Sequence, residues 1–400
     1  MNGLSRVGVA ATASAGMVVL ASAVGCRSSG SENAAASSAQ PIGIGALAPS
    51  SIGPPPPTPP LREGMVWIPS GALVAGTPRD RVPRIAEAEM PGEQVVLDGF
   101  HIDVFPYPNE EGAIPLTGVS RDEAAALCAA RDKRLCSELE WERACKGPDN
   151  RVYEYGDRYR PDRCGTGTEP GLRPSGLRVA CRSDFGVRDM HGGAFEWTSS
   201  PWGRGTGDRL ATIRGGNGTA GEVVGRCAHG RGVPPDTKSR TIGFRCCAGP
   251  RNNDEVVLPV RRGKHLESIG RLDDDLAMRL LDLLPDEART ELRPAGAPGI
   301  RRSWVWRPVG NEEISLTSVC SGPDRNPTCG VLVTRQDLGR TLFLAWASSG
   351  RAFPTFKIEG DPRDLWLLGL DRQGSYKRLI SYAWGRVTVH GIDRRVPKKR

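Results

Sequence analysis

The sequence predicts two folded regions, a loop-rich mixture of helices and short strands at residues 64–250 and a strand-rich region at residues 301–400. The first prediction rests on two helix starts and on short apolar runs before and after them, such as "VVLDGFHID" and "TIGFRCC". The second rests on short apolar runs separated by Gly, Asp or Pro, a pattern typical of an antiparallel β sandwich or barrel. Between them, residues 251–300 form a connector with one clear helix, "RLDDDLAMRLLDLL".

The N-terminal segment predicts export. After "MNGLSRVG", an apolar stretch rich in small residues ends in "ASAVGC", which is typical of a signal peptide at residues 1–25 rather than of a transmembrane span. The ending resembles a bacterial lipobox, in which Cys26 would be lipidated; ordinary cleavage after Ala23 is the alternative. Residues 26–63 are rich in Pro, Ser and Ala and predict a disordered linker. We expect a cell-envelope lipoprotein at the outer membrane or cell surface, held to the membrane by its lipid only, or else a freely secreted protein.

The charge pattern argues against nucleic acid as a partner. The formal net charge is +8, but only eight of the 54 basic residues are lysine, and the arginines are spread along the chain. A surface that tracks phosphates needs a clustered basic stripe. The basic run "RRVPKKR" near the C-terminus is typical of a solvated chain end.

Helices are predicted from their first turns and from leucine spacing. "SRDEAAALCAARDKR" begins with Ser120 and Glu123, and "SELEWERACKG" begins with Ser137 and Glu140. In each capping box, the hydroxyl and the carboxylate satisfy backbone N–H groups that the first turn leaves without partners. The connector helix carries leucine at every fourth position, which predicts one buried face: Leu272, Leu276, Leu280 and Leu284.

The cysteine count predicts a disulfide framework. Of eleven cysteines, ten remain if Cys26 carries a lipid, and an even number in an exported chain favours disulfides. No C-x-x-C pair occurs, so structural zinc is the weaker alternative. The neighbours Cys246 and Cys247 fit two separate bridges better than a soft-metal chelate. Cys320 and Cys329 flank a turn-rich stretch, which predicts a bridge between two strands.

The stretch "GNGTAG" at residues 216–221 matches the dinucleotide-binding fingerprint G-x-G-x-x-G. That fingerprint needs a helix directly after the last glycine. Here "EVVGRCAHGRGVPPD" follows, and each interior glycine or proline costs a helix about 1 or about 3 kcal/mol respectively. The sequence therefore argues against a dinucleotide site, and the loop needs another explanation.

Six motifs in one order supply that explanation: "MVWIPSGALVAGT", "VVLDGFHID", "KRLCSELEWERACKGP", "DFGVRDMHGGAFEWTSS", "IRGGN" and "TIGFRCC". In this order they resemble the formylglycine-generating enzyme, or sulfatase-modifying factor, family. The resemblance covers about residues 64–250. It implies an α+β fold of the C-type-lectin-like kind, with little regular secondary structure.

The resemblance also implies disulfide partners for two pairs of cysteines, and the remaining four cysteines of the region are then expected to pair with one another. The four expected bridges are Cys128–Cys246 and Cys145–Cys227, implied by the family, and Cys164–Cys181 and Cys136–Cys247.

The stretch "DMHGGAFEW" looks like the family's calcium loop. The resemblance implies side-chain ligands from Asp189 and Glu196 and carbonyl ligands from Gly192 and Ala194, and Ca²⁺ prefers such oxygen ligands. The family usually has asparagine at the first of these positions and again at Gly193. The alternative is a metal-free loop that the Asp and Glu side chains close by hydrogen bonds.

Catalytic members of the family carry two cysteines in the loop that follows "GGS". Their thiolates bind copper(I), a soft ion that prefers sulfur, and activate O₂ to oxidise a substrate cysteine to formylglycine. Here the loop reads "GGNGTAGEVVGRC", and Cys227 matches a structural cysteine of the family. We therefore expect no copper and no catalysis. The alternatives are an oxidase with rearranged ligands and an iron-dependent sulfoxide synthase, for which the five histidines are too scattered.

The function predicted from the sequence is binding without catalysis. The altered loop and its surroundings would present four residues to a glycan or peptide ligand: Trp202, Asn217, His229 and Arg231. After residue 301 most tryptophans are expected in the core rather than on a sugar-binding surface: Trp304, Trp306, Trp346, Trp366 and Trp384.

Overall fold

The computed structural model describes residues 59–167, 171–204, 209–258, 263–270, 272–310, 312–337 and 339–394. The signal peptide, Cys26 and most of the linker predicted above lie outside these residues. Among the described residues, no helix has the length and apolar character that crossing a bilayer requires.

The first region is built from short strands and helices. The strands are β1 (Met65–Ile68), β2 (Gly71–Gly76), β3 (Pro91–Leu97), β4 (Phe100–Asp103), β5 (Arg134–Leu135), β6 (Phe195–Pro201), β7 (Ala211–Gly215), β8 (Gly230–Val233), β9 (Ile242–Phe244) and β10 (Cys246–Ala248). The helices are α1 (Arg121–Ala129), α2 (Glu138–Lys146), α3 (Pro161–Cys164) and α4 (Gly221–Val224). Small sheets result, with the orders β1-β4-β10-β5, β8-β7-β6-β9 and β2-β3. The predicted α+β fold is confirmed.

Both predicted capping boxes form. The hydroxyl of Ser120 accepts from the N–H of Glu123, that of Ser137 accepts from the N–H of Glu140, and each Glu carboxylate accepts from the serine N–H in return. Every residue of α2 is buried, and Trp141 lies in the core of the region. Helix α2 therefore forms the centre against which the small sheets pack.

All five predicted disulfides are present: Cys128–Cys246, Cys136–Cys247, Cys145–Cys227, Cys164–Cys181 and Cys320–Cys329. Three of them join partners 118, 111 and 82 residues apart. In the chain-entropy model, closing a loop of about 100 residues stabilises the fold by about 4–5 kcal/mol. The bridges thus stabilise a region in which strands and helices are short.

The connector contains helix α5 (Asp274–Asp282), helix α6 (Asp286–Leu292) and a 3₁₀ turn at Arg293–Ala295. The side chain of Asp273 caps α5. Of the four leucines predicted to form one buried face, Leu280 and Leu284 are buried, while Leu272 and Leu276 are half-buried and pack against the same cluster. Helix α6 was not expected, because a proline after α5 suggested the end of helical structure. That proline instead occupies the extended position just before α6.

The second region is a large sheet, whose first strand lies in the connector. Its strands are β11 (Leu266–Ile269), β12 (Gly299–Trp306), β13 (Ile314–Ser321), β14 (Thr328–Asp337), β15 (Arg340–Gly350), β16 (Thr355–Ile358), β17 (Asp364–Asp371), β18 (Gly374–Ala383) and β19 (Arg386–Asp393). The order is β11-β12-β13-β14-β15-β17-β18-β19, with β16 paired to β17. Within this sheet, all described pairings are antiparallel except one parallel bridge between β15 and β17. Trp306 and Trp346 are buried, whereas Trp384 is 58% exposed.

Candidate functional site

The loop that carries "GNGTAG" lies between β7 and Cys227. It begins as a tight turn, in which the side-chain oxygen of Asn217 accepts hydrogen bonds from the N–H and the hydroxyl of Thr219 at 3.2 and 2.7 Å. The helix that follows, α4, has four residues. This is far shorter than the helix that a dinucleotide fingerprint requires.

The loop offers no thiolate. Residues 216–226 contain no cysteine, and Cys227 is fully buried and bonded to Cys145. In the parts of the chain that the structure describes, every cysteine belongs to one of the five disulfides. Asn217 and Glu222 remain as oxygen donors, and such hard ligands suit copper(I) poorly.

A large cleft opens beside this loop. Its volume is about 1090 Å³, and residues drawn from segments 74–83, 146–159 and 222–228 line it. Ligand sites usually occupy roughly 300–1,000 Å³, so the cleft has room for several amino acids or sugar units. Exposed charges of both signs face it: Asp80, Arg81, Arg158 and Glu222.

Three tyrosines form a cluster, and two of them, Tyr153 and Tyr159, line one wall of the cleft. The rings of Tyr153 and Tyr155 stack with their centres 5.4 Å apart, and Tyr159 lies 5.7 Å from Tyr153. The hydroxyl of Tyr153 donates to the carbonyl of Glu222 at 3.0 Å. Burial raises the pKa of Tyr153 and raises that of Tyr155 to about 12, so both phenols stay neutral. The tyrosine cluster therefore holds α4 in place.

A buried cation fixes the far end of the loop. Arg226 forms an ion pair with Glu89 and donates to the carbonyl of Pro83, and its Nε donates to Val223 at 3.0 Å. Burial raises the pKa of Glu89, while Arg226 favours its ionised form. Arg226 thus ties the loop to residues 77–90, which connect β2 to β3 and supply another wall of the cleft.

A second buried cation holds the segment after the loop. Arg214, in β7, donates to Glu138 at 2.9 Å and to Glu142 at 3.0 Å, both on α2. It also donates to the carbonyls of residues 227–229. Burial opposes the ionisation of Glu138, but Arg204 and Arg214 together outweigh it and hold the pKa of that carboxyl below its usual value. The loop is therefore anchored to α2 as well.

The four residues proposed from the sequence as a ligand surface lie in different surroundings. Trp202 packs against the backbone of Gly232, and Asn217 closes its own turn. His229 is 7% exposed, so it does not face solvent as we expected, and burial lowers its pKa to about 3. Arg231 is exposed on β8. Of the described residues that line the cleft, none belongs to this set.

The carboxylates of the proposed calcium loop already have partners. Both oxygens of Glu196 accept from Arg245, at 2.7 and 2.8 Å, and one also accepts from Trp141 at 2.7 Å. Asp189 accepts from the N–H of Gly176 at 2.6 Å, and burial raises the pKa of Asp189. Three of the roughly four acceptor positions of the Glu196 carboxylate are thus taken, which leaves room for one metal contact at most. Calcium stays a prediction.

The other two proposed calcium ligands contribute backbone only. Gly192 has a φ of +89°, and a Cβ there would lie 1.7 Å from the carbonyl oxygen of Cys164, so the position needs glycine. Its N–H donates to the carbonyl of Gly216 at 2.7 Å, which ties this loop to the start of the "GNGTAG" loop. Ala194 is 9% exposed and directly precedes β6.

A buried acid–histidine pair was not found from the sequence. Glu154 contacts Nδ1 of His191 with one oxygen, while its other oxygen lies 3.0 Å from the sulfur of Cys164 and 2.8 Å from that of Cys181. These residue types could bind a metal, but both sulfurs belong to one disulfide and provide no thiolate. No local pattern signals the pair, because its members are 37 residues apart.

The family comparison agrees with the four of the six motifs that lie within residues 107–249. Residues 107–249 match the family model described as "Sulfatase-modifying factor enzyme 1-like domain". Residues 107–249 are a sulfatase-modifying factor domain. The resemblance found in the sequence relates the loop at 216–226 to the family's catalytic loop, and residues 216–226 contain no cysteine.

Curated relatives carry the same domain. The "Inactive C-alpha-formylglycine-generating enzyme 2" of Bos taurus is 31% identical over 160 residues, which cover 35% of this chain and 52% of the relative. Its Mus musculus counterpart is 30% identical over 159 residues, covering 35% and 50%. The "Formylglycine-generating enzyme" of Bos taurus is 29% identical over 166 residues, covering 34% and 44%. The chain thus spans about half the length of the curated relatives it matches.

Among solved structures, PvdO from Pseudomonas aeruginosa is similar to this chain, with a TM-score of 0.39 and 20% identity over 46% of this chain and 93% of PvdO.

Proposed function

We propose that this protein binds a ligand without catalysis, and that the ligand lies in the cleft beside residues 216–226. The observation that carries the proposal is that residues 216–226, which the resemblance relates to the thiolate-bearing loop of catalytic members, contain no cysteine, and that Cys227 is bonded to Cys145. Two relatives are named inactive, and the missing cysteines are a physical reason for the same condition here. The loop is well anchored by Arg226 and by the tyrosine cluster, which favours a formed binding surface.

A peptide suits the cleft better than a glycan. Its exposed charges include both carboxylates and guanidinium groups, such as Asp80 and Arg158, which complement the mixed side chains of an extended peptide. A stacked sugar needs a freely accessible aromatic face. Tyr153 instead gives one face to Tyr155 and its hydroxyl to the loop.

The experiment is a binding screen of the mature protein against a random peptide library and a glycan array. We expect peptides to be selected, and we expect the double variant Arg81→Ala, Arg158→Ala to weaken their binding by about tenfold. Arg301→Ala is the matched control, since Arg301 is a half-exposed arginine of the second region that does not line the cleft. Peptide affinity that is equal in the double variant, or binding of glycans alone, would contradict the proposal.

The five disulfides are typical of a protein that folds in an oxidising compartment outside the cytoplasm. We propose in addition a lipid tether at Cys26. Cys26→Ala should then move the protein from the membrane fraction to the soluble fraction. A soluble wild-type chain whose mature N-terminus is Val24 would contradict lipidation and leave export intact.

A further inference from the structure

One wall of the cleft is built into the second region. Residues 77–90 leave the small β2-β3 sheet and pack against the large sheet, where Ala86 is buried in the same hydrophobic core as Trp306 and Ile314. The N–H of Arg84 donates to the carbonyl of Trp384, in the turn between β18 and β19, at 2.9 Å. The cleft wall therefore has contacts with both regions.

Buried charges connect the two regions through this wall. The guanidinium of Arg84 contacts Glu312 at 2.5 Å, and the other oxygen of Glu312 lies 3.6 Å from Arg335. Arg84 also donates to the carbonyl of Glu89 at 3.3 Å, and the Glu89 carboxylate pairs with Arg226 in the loop. Each of these five side chains is at most 4% exposed.

In this network, Glu312 is the residue that compensates two buried positive charges. It faces two guanidinium groups, and those of Arg84 and Arg335 have no other carboxylate within ion-pair distance among the described residues. Removing one partner of a buried ion pair leaves an uncompensated charge, which the protein relieves by moving the group toward water. Movement of Arg84 would displace residues 77–90. Glu89, which pairs with Arg226, belongs to this segment and would move with it.

We propose that Glu312 is a positioning residue for the cleft, and that the second region acts as a clamp on the sulfatase-modifying factor domain. Glu312 holds Arg84, and through Glu89 and Arg226 it fixes residues 216–226. The consequence for ligand binding rests on the proposed function, whereas the clamp itself does not. Residues 301–394 are then part of the binding site's framework.

Hydrogen exchange of the unliganded mature protein tests the clamp. In Glu312→Gln we expect the amides of residues 77–90 and 216–226 to exchange about tenfold faster or more, because a buried charged hydrogen bond is lost. Glu291→Gln is the control: Glu291 is a carboxylate of α6 in the connector, and it accepts from Trp346 and Ser348 of the second region instead of from Arg84. It should leave both segments unchanged.

Two milder variants keep the test decisive if Glu312→Gln does not fold. Arg84→Lys retains the charge beside Glu312 but loses the second guanidinium nitrogen, and it should speed exchange in residues 77–90. Glu89→Gln should speed exchange in residues 216–226 while leaving the large sheet unchanged. Faster exchange confined to the large sheet, or equal effects of the Glu312 and Glu291 variants, would overturn the clamp. A failed peptide screen would not overturn the clamp, since the hydrogen-exchange experiment is done without a ligand.

Discussion

The carboxylate of Glu196 accepts two hydrogen bonds from the guanidinium of Arg245, at 2.7 and 2.8 Å, and both side chains are buried. The other donors of Arg245 reach backbone carbonyls at residues 103–104 and 188–189. The pair thus joins β4, the proposed calcium loop and the segment between β9 and β10. These elements lie far apart in the chain, so the ion pair is a main long-range interaction within the domain.

Removing the carboxylate should destabilise this domain strongly. Glu196→Ala leaves Arg245 buried without a counterion, for which we expect a loss of about 3–5 kcal/mol in the free energy of unfolding, measured by urea denaturation. The exposed pair of Lys238 and Glu123 provides the control, and Lys238→Met should change stability little. Similar losses of unfolding free energy in the two variants would show that the Glu196–Arg245 pair is not a main long-range interaction.

Calcium binding at the same loop is tested on the wild-type protein. The Glu196 substitution removes the ion pair with Arg245 and destabilises the domain whether or not a metal binds. The family resemblance predicts that a chelator lowers the melting temperature of the domain and that added Ca²⁺ restores it. Bound metal would stabilise the folded state in proportion to the logarithm of its free concentration. Identical melting curves with chelator and with calcium would favour the metal-free, hydrogen-bonded loop.

We expect no formylglycine formation. Purified protein would be incubated with copper(I), O₂, a thiol reductant and a peptide carrying the sulfatase motif, and the peptide would be analysed by mass spectrometry. Neither Asn217 nor Glu222 supplies the soft ligand that copper(I) prefers, and Cys227 is bonded to Cys145. An aldehyde product that disappears in Cys227→Ser would restore the oxidase with rearranged ligands.

The buried His229 should make stability depend on pH. Its folded-state pKa of about 3 lies below the ordinary value of 6.5, so between these values the unfolded chain binds more protons than the folded one. Stability therefore falls as the pH drops through this range, by up to about 1.4 kcal/mol per pH unit. His229→Gln should reduce that slope in urea titrations, whereas the exposed His265→Gln serves as the control. Unchanged slopes in the His229 variant would contradict the assignment.

The sequence alone determined the starts of α1 and α2, because a capping box involves residues three positions apart and needs no tertiary partner. It also predicted the antiparallel strands after residue 301, whose apolar runs and turns are local signals. The motifs that resemble a known family supplied the bridges Cys128–Cys246 and Cys145–Cys227, which spacing by itself leaves open. The missing cysteines of the loop were read directly from the sequence.

Only the tertiary structure decided where the charged residues of the site go. The stretch from Thr77 to Met90 is rich in charge, yet Arg84 and Glu89 are buried in it. The partner of Arg84 is Glu312, 228 positions away, and the partner of Glu89 is Arg226, 137 positions away. Burying a charged side chain is costly unless an opposite charge or hydrogen-bond partners meet it, and no local pattern records which distant residues those will be.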